Sequence, residues 1–98
     1  MTKIADLPAF DMAEHLTTEA EVAAYLSMVL EEDDPAELAH ALGVIARARG
    51  MTEIASASGM TREALYKALR PGSQPRFDTI RRVCNALGVR LTVQPLHT

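Results

Sequence analysis

Apolar side chains return at helical spacing in five separate stretches of the chain, each opened or closed by a residue suited to ending a helix. The first begins at Thr18-Glu19-Ala20-Glu21. Thr18 can take an N–H of the first turn while Glu21 reaches back, the reciprocal arrangement of a capping box. Val22, Tyr25, Leu26, Val29 and Leu30 then form one stripe, so a helix is expected to about residue 32. The second opens at Asp34-Pro35-Ala36-Glu37, with an N-cap, a proline in the first turn and an acid at the positive dipole end. It buries Leu38, Ala41, Leu42 and Ile45 and stops at Gly50. The third is expected from an N-cap at Thr52 to about Ser58, where Gly59 can take positive φ cheaply. The fourth, residues 62–69, is capped by Thr61 and turns Ala64, Leu65, Ala68 and Leu69 inward. The fifth, residues 77–87, places Phe77, Ile80, Val83, Cys84 and Leu87 in the core and ends before Gly88.

The two ends of the chain follow other rules. Val89-Arg90-Leu91-Thr92-Val93-Gln94-Pro95 alternates apolar and polar residues, a strand signal. A lone strand needs a partner. The N-terminal arm, a second subunit and another protein are all candidates, and a symmetric dimer through Val89, Leu91 and Val93 is the favoured expectation. Residues 1–16 show no sustained period and read as an extended arm with Ile4, Leu7, Phe10 and Leu16 as anchors. They suit docking on the chain's own domain or folding onto a partner protein.

The third and fourth helices, hinged at Gly59 and locked by Ile54, Ala55, Met60, Leu65 and Leu69, have the pattern of a helix-turn-helix. Ala55 is small enough to let the two helices cross closely. The second of them leaves Thr61, Arg62, Glu63, Tyr66 and Lys67 outward, with guanidinium, carboxylate and aromatic chemistry suited to base edges and phosphates. The plain alternative is an ordinary solvated face. The turn-rich loop that follows cannot continue a helix, and its Arg70, Ser73, Gln74 and Arg76 are donors for a phosphate backbone. Thr52 and Thr61, at helix starts, are further candidate phosphate contacts.

Charge sharpens this picture. Residues 1–42 hold ten acidic side chains and one lysine, net −9, and residues 43–98 hold nine basic and three acidic side chains, net +6, together the −3 of the whole chain. The basic half suits phosphate and the acidic half suits a different partner. The run Glu31-Glu32-Asp33-Asp34 lacks the ligand spacing of a calcium loop and reads as a solvated helix junction. At 98 residues the chain makes one small domain. Its one cysteine rules out an internal disulfide framework, and Cys84 reads as a core residue. Charges interrupt every apolar run, and no signal peptide is visible, so a cytoplasmic protein is expected. His15, His40 and His97 lie far apart with no ligand spacing, and no phosphate-cradling glycine loop or nucleophile elbow occurs. No metal, cofactor or enzymatic activity is expected.

Taken together, Phe10-Asp11, Tyr25-Leu26, Asp34-Pro35-Ala36-Glu37-Leu38, Ala41-Leu42-Gly43, the run from Ile45 to Thr52, the run from Thr61 to Leu69, Pro75-Arg76-Phe77-Asp78-Thr79 and Ala86-Leu87-Gly88 span about residues 10–93. That combination resembles the addiction-module antidote family, the HigA-like, prophage-type antitoxins with a Cro/phage-repressor (XRE-type) helix-turn-helix. The resemblance implies an all-α, five-helix Cro-like domain, to which the residues add the extended N-terminal arm and short C-terminal strand. It also implies a RelE/ParE-like toxin encoded beside it and autorepression of the shared operon. Such toxins are small and basic, a match for the acidic half. Residues 1–34 are then the expected toxin-binding region, with Ile4, Leu7, Phe10, Leu16 and Tyr25 as candidate contacts, and residues 35–98 the DNA-binding and dimerising domain. A stand-alone prophage-type regulator with no toxin partner is the alternative, and an interaction module that no longer touches DNA is another.

Overall fold

Five helices account for the secondary structure of residues 16–96, the part of the chain that the computed structural model describes. They are α1 (Glu19–Glu31), α2 (Pro35–Arg49), α3 (Met51–Ala57), α4 (Arg62–Ala68) and α5 (Phe77–Ala86). The anchors Ile4, Leu7 and Phe10 lie outside the described residues.

Local chemistry sets most of the boundaries. At the start of α1 the Glu21 N–H donates to Thr18 Oγ1 at 3.1 Å, and the Thr18 N–H donates to Glu21 Oε1 at 3.0 Å, which completes the expected capping box. The same carboxylate accepts from the Thr17 hydroxyl at 2.9 Å. That bond, with the others, holds the Glu21 carboxyl below its usual range. Asp33 takes φ 61 and turns the chain, after which Asp34 caps α2 through the Ala36 N–H at 3.1 Å. α3 and α5 both end in Schellman pairs. Met60 N–H reaches the Ala55 carbonyl and Gly59 N–H that of Ser56, while Val89 reaches Cys84 and Gly88 reaches Asn85.

One boundary differs from the sequence reading. Thr52 is not the N-cap of α3 but lies inside its first turn. Gly50, at φ 109, closes α2 through the Ala46 carbonyl, and its own carbonyl accepts the Ile54 N–H. A single glycine thus separates two helices, and Met51 follows it directly into the core at 6% exposure.

One core serves all five helices. Leu16 and the α1 residues Val22, Tyr25, Leu26 and Val29 share it with Leu42, Ile45, Ile54, Leu65, Leu69, Val83 and Leu87. Cys84 is part of it, and burial pushes its thiol pKa up. Three residues expected inside are outside. Ala64 is exposed, because Leu65 and Leu69 set the buried direction of α4 and Ala64 lies roughly 100° away from Leu65 around the axis. Leu30, 46% exposed, sits at the edge of the α1 stripe for the same reason. Phe77 is 66% exposed: it opens α5, and helical side chains lean toward the N-terminus, so its ring projects beyond the last core contact.

The expected C-terminal strand is not formed among the described residues. Among the described residues, 88–95 carry no strand, since no second strand offers them backbone partners. Val89 and Leu91 pack half-buried on the core, and Val93 is 99% exposed.

Candidate nucleic-acid interface

The geometry of α3 and α4 follows from four constraints. The Gly59 turn, at φ 72, redirects the chain after α3. The hydroxyl of buried Ser58 donates to the Ile54 carbonyl at 2.6 Å and the Ala55 carbonyl at 3.1 Å, so the turn leaves no hydroxyl unsatisfied. Thr61 caps α4 through the Ala64 N–H at 3.0 Å, as its sequence position predicts. Leu65 and Leu69, at 0% and 2% exposure, then clamp one side of α4 to the core and fix which residues face out.

Those residues are Thr61, Arg62, Glu63, Tyr66 and Lys67, all exposed. Arg62 and Tyr66 stand one turn apart and interact: the guanidinium carbon lies 5.4 Å from the ring centre, and Nη2 is 3.4 Å from the phenolic oxygen. Their i, i+4 spacing is what brings the two side chains together.

The loop after α4 is braced from within. Ser73 N–H donates to the Arg70 carbonyl at 3.0 Å, and the Ser73 hydroxyl donates to the Ala68 carbonyl at 2.6 Å. Ser73 therefore closes the C-terminal end of α4 and shapes the loop. Arg70, Gln74 and Arg76 are left exposed around it. Thr52 is exposed on the first turn of α3. Two further cations of the basic half, Arg81 and Arg82, are both tied to Asp78 at 3.0 Å. These bonds, led by the Arg81 contact, hold the Asp78 carboxyl below its usual range.

Arg49, at the end of α2, has Nε and Nη2 buried with no hydrogen-bond partner among the described residues. Its sequence position explains only the dipole complement. On the acidic side, Leu16 and Tyr25, candidate toxin contacts, are core residues at 3% and 6% exposure.

A family profile described as "probable addiction module antidote protein" matches residues 6–95. The chain belongs to that family. A protein of Haemophilus influenzae, itself uncharacterized, is similar to this antidote chain, 48% identical over 88 residues that cover 90% of this chain and 91% of the relative. No solved structure matches it. Membership of an antidote family implies a toxin partner. No helix among the described residues of the antidote is long and apolar enough to cross a membrane.

Proposed function

We propose that this chain is the antitoxin of a type II toxin–antitoxin module, neutralising a RelE/ParE-like toxin and repressing its own operon by binding operator DNA in the cytoplasm. The observation that carries the DNA half is the single exposed face of α4. Leu65 and Leu69 hold the helix from behind while Arg62, Glu63, Tyr66 and Lys67 project together from the front. A helix so presented fits a major groove, with Arg62 and Lys67 donating to base acceptors or phosphates, Glu63 accepting from cytosine and Tyr66 adding stacking surface. Arg70, Gln74 and Arg76 brace the backbone, and Ser73 supports them from behind. Thr61 Oγ1 accepts from the helix while its O–H remains to donate to phosphate, and Thr52 contributes from the first turn of α3.

In this reading the unit is a Cro/phage-repressor-like, HigA-like helix-turn-helix acting as a homodimer. The strand-patterned tail, residues 89–95, finds in a second subunit the strand partner that no described residue of its own chain supplies. Two α4 helices then enter successive major grooves about 34–36 Å apart. The acidic N-terminal region receives the toxin through the arm, with Ile4, Leu7 and Phe10 as anchors, while Leu16 and Tyr25 hold α1 to the core behind it. The protein's work is binding, with no catalytic step of its own.

Co-expression with the product of the adjacent gene, with growth and co-purification as readouts, tests the antitoxin half. A gel shift on the chain's own promoter tests the repressor half. A complex that rescues growth and a salt-sensitive shift are expected. No complex with an intact promoter shift would leave a plain repressor.

A further inference from the structure

We propose that the corner between α1 and α2 receives a cationic side chain, a lysine or arginine, of the toxin protein. This rests on the antitoxin reading above and names where, and through what chemistry, the toxin is held. Val29, Leu30 and Leu38 line an open hollow of about 140 Å3 whose remaining wall is Asp33 and Asp34. The hollow exists because the chain reverses there. Asp33 at φ 61 turns α1 into α2 and leaves Leu30 exposed and Leu38 half-buried at the corner, over the buried Val29.

Two features distinguish this corner from an ordinary helix junction. Part of its apolar lining faces solvent: Leu30 is 46% exposed, and Met28, nearby on α1, is 52% exposed. Its carboxylates retain capacity. Asp34 uses Oδ1 for the Ala36 N–H, which leaves its other oxygen, and the Asp33 carboxylate makes no hydrogen bond or ion pair among the described residues.

An occupant has to match an apolar floor and an anionic wall at once. Lysine and arginine do so, because each carries an aliphatic stem below a charged head. A purely apolar side chain would fill the floor but strip water from the carboxylates without replacing it. Phosphate is repelled, so the corner stands apart from operator contact. The charge of the described residues agrees: residues 16–42, which include this hollow, hold seven acidic side chains and no lysine or arginine.

The test titrates the full-length protein with the purified product of the adjacent gene by calorimetry. Asp33→Asn removes the charge and keeps a residue tolerated at positive φ. Leu30→Ser removes apolar floor from an already exposed position. Each is expected to weaken toxin binding roughly tenfold, the effect of losing an interface anchor. The loss with Asp33→Asn is expected to shrink at high salt. Both variants should retain the wild-type promoter shift, which reports an intact fold, and Glu53→Gln, an acid on α3, should leave toxin affinity unchanged. Wild-type affinity in both corner variants would overturn the assignment while the antitoxin reading stands. Leu30→Ser acting only on sedimentation, with toxin affinity unchanged, would make the corner a contact between copies of this chain and overturn it equally. A wild-type protein that does not bind the toxin would overturn the antitoxin reading and the corner with it.

Discussion

The Arg62 guanidinium rests over the face of Tyr66, 5.4 Å from the ring centre, on the one side of α4 that the core leaves free. Two long side chains on an exposed helix are thereby held in a common orientation before any ligand arrives, which lowers the ordering cost of binding. Their effects on operator affinity should therefore be non-additive. In a double-mutant cycle with Arg62→Ala and Tyr66→Ala, a coupling of about 0.5–1 kcal/mol is expected, the range for exposed cation–π pairs. Tyr66→Phe keeps the stacked ring and should cost less than Tyr66→Ala. Strict additivity would mean that the two residues reach DNA independently.

Lys67 neighbours that pair without stacking on it, and its ammonium is a point charge suited to phosphate. Lys67→Ala is expected to weaken duplex binding similarly across sequences and to reduce the slope of log affinity against log salt by about 1. Toxin binding should be untouched. Titrations at several salt concentrations, with and without the toxin, check both statements, and an equal loss of both activities would contradict a division of labour between the two halves of the chain.

How far the sequence could be read depended on whether the information was local. Thr18, Asp34 and Thr61 cap their helices as their positions predict, because capping is decided within three residues. Leu65 and Leu69 declared the inner face of α4 by spacing alone. Ala64 and Phe77 did not, since a residue at the edge of a stripe or in the first turn is buried only if a neighbouring element reaches it. Thr52 has the residue type of a cap but lies inside α3, because Gly50 closes one helix and opens the next while Met51 packs straight into the core. The toxin candidates Leu16 and Tyr25 are apolar for a reason the sequence left open, their place in the shared core. The strand pattern at residues 89–95 is legible, but its partner is not encoded in the same stretch.

Two glycines separate conformational strain from close approach. Gly59 has φ 72, and a Cβ there would meet nothing within 4 Å, so Gly59→Ala should cost only the left-handed strain, about 1–2 kcal/mol. Gly43 lies inside α2, where alanine is ordinarily better by about 1 kcal/mol. Its Cβ, however, would stand 3.2 Å from the Leu69 carbonyl oxygen, backbone at the end of α4. Gly43→Ala is therefore expected to lower stability despite its helix propensity. Urea midpoints at unchanged m-value measure both. A stabilised Gly43→Ala would mean that α4 can back away from α2.

At alkaline pH the stability of the fold should depend on two ionisable groups of the core. Tyr25 is 6% exposed, and its pKa is raised above the ordinary 10.0, first by burial and then by the negative charges of Glu37 and Glu32. Cys84 is raised above its ordinary 9.0 by burial alone. In both cases the folded state holds the proton more tightly than the unfolded state. Each group's contribution is complete below its unfolded pKa and is lost as pH rises through the folded value. The unfolded thiol ionises first, so stability should start to fall near 9.0 and fall more steeply above 10.0. Tyr25→Phe keeps the ring, removes the ionisable hydroxyl, and should flatten the upper part of the decline; Cys84→Ala should flatten the lower part at the cost of a small cavity. Thermal unfolding followed by circular dichroism from about pH 7 to about pH 11 resolves the two limbs. If Tyr25→Phe declines as steeply as the wild type, the phenolate must be accommodated in the folded state, and the contact between α1 and the core is looser at Tyr25 than its burial implies.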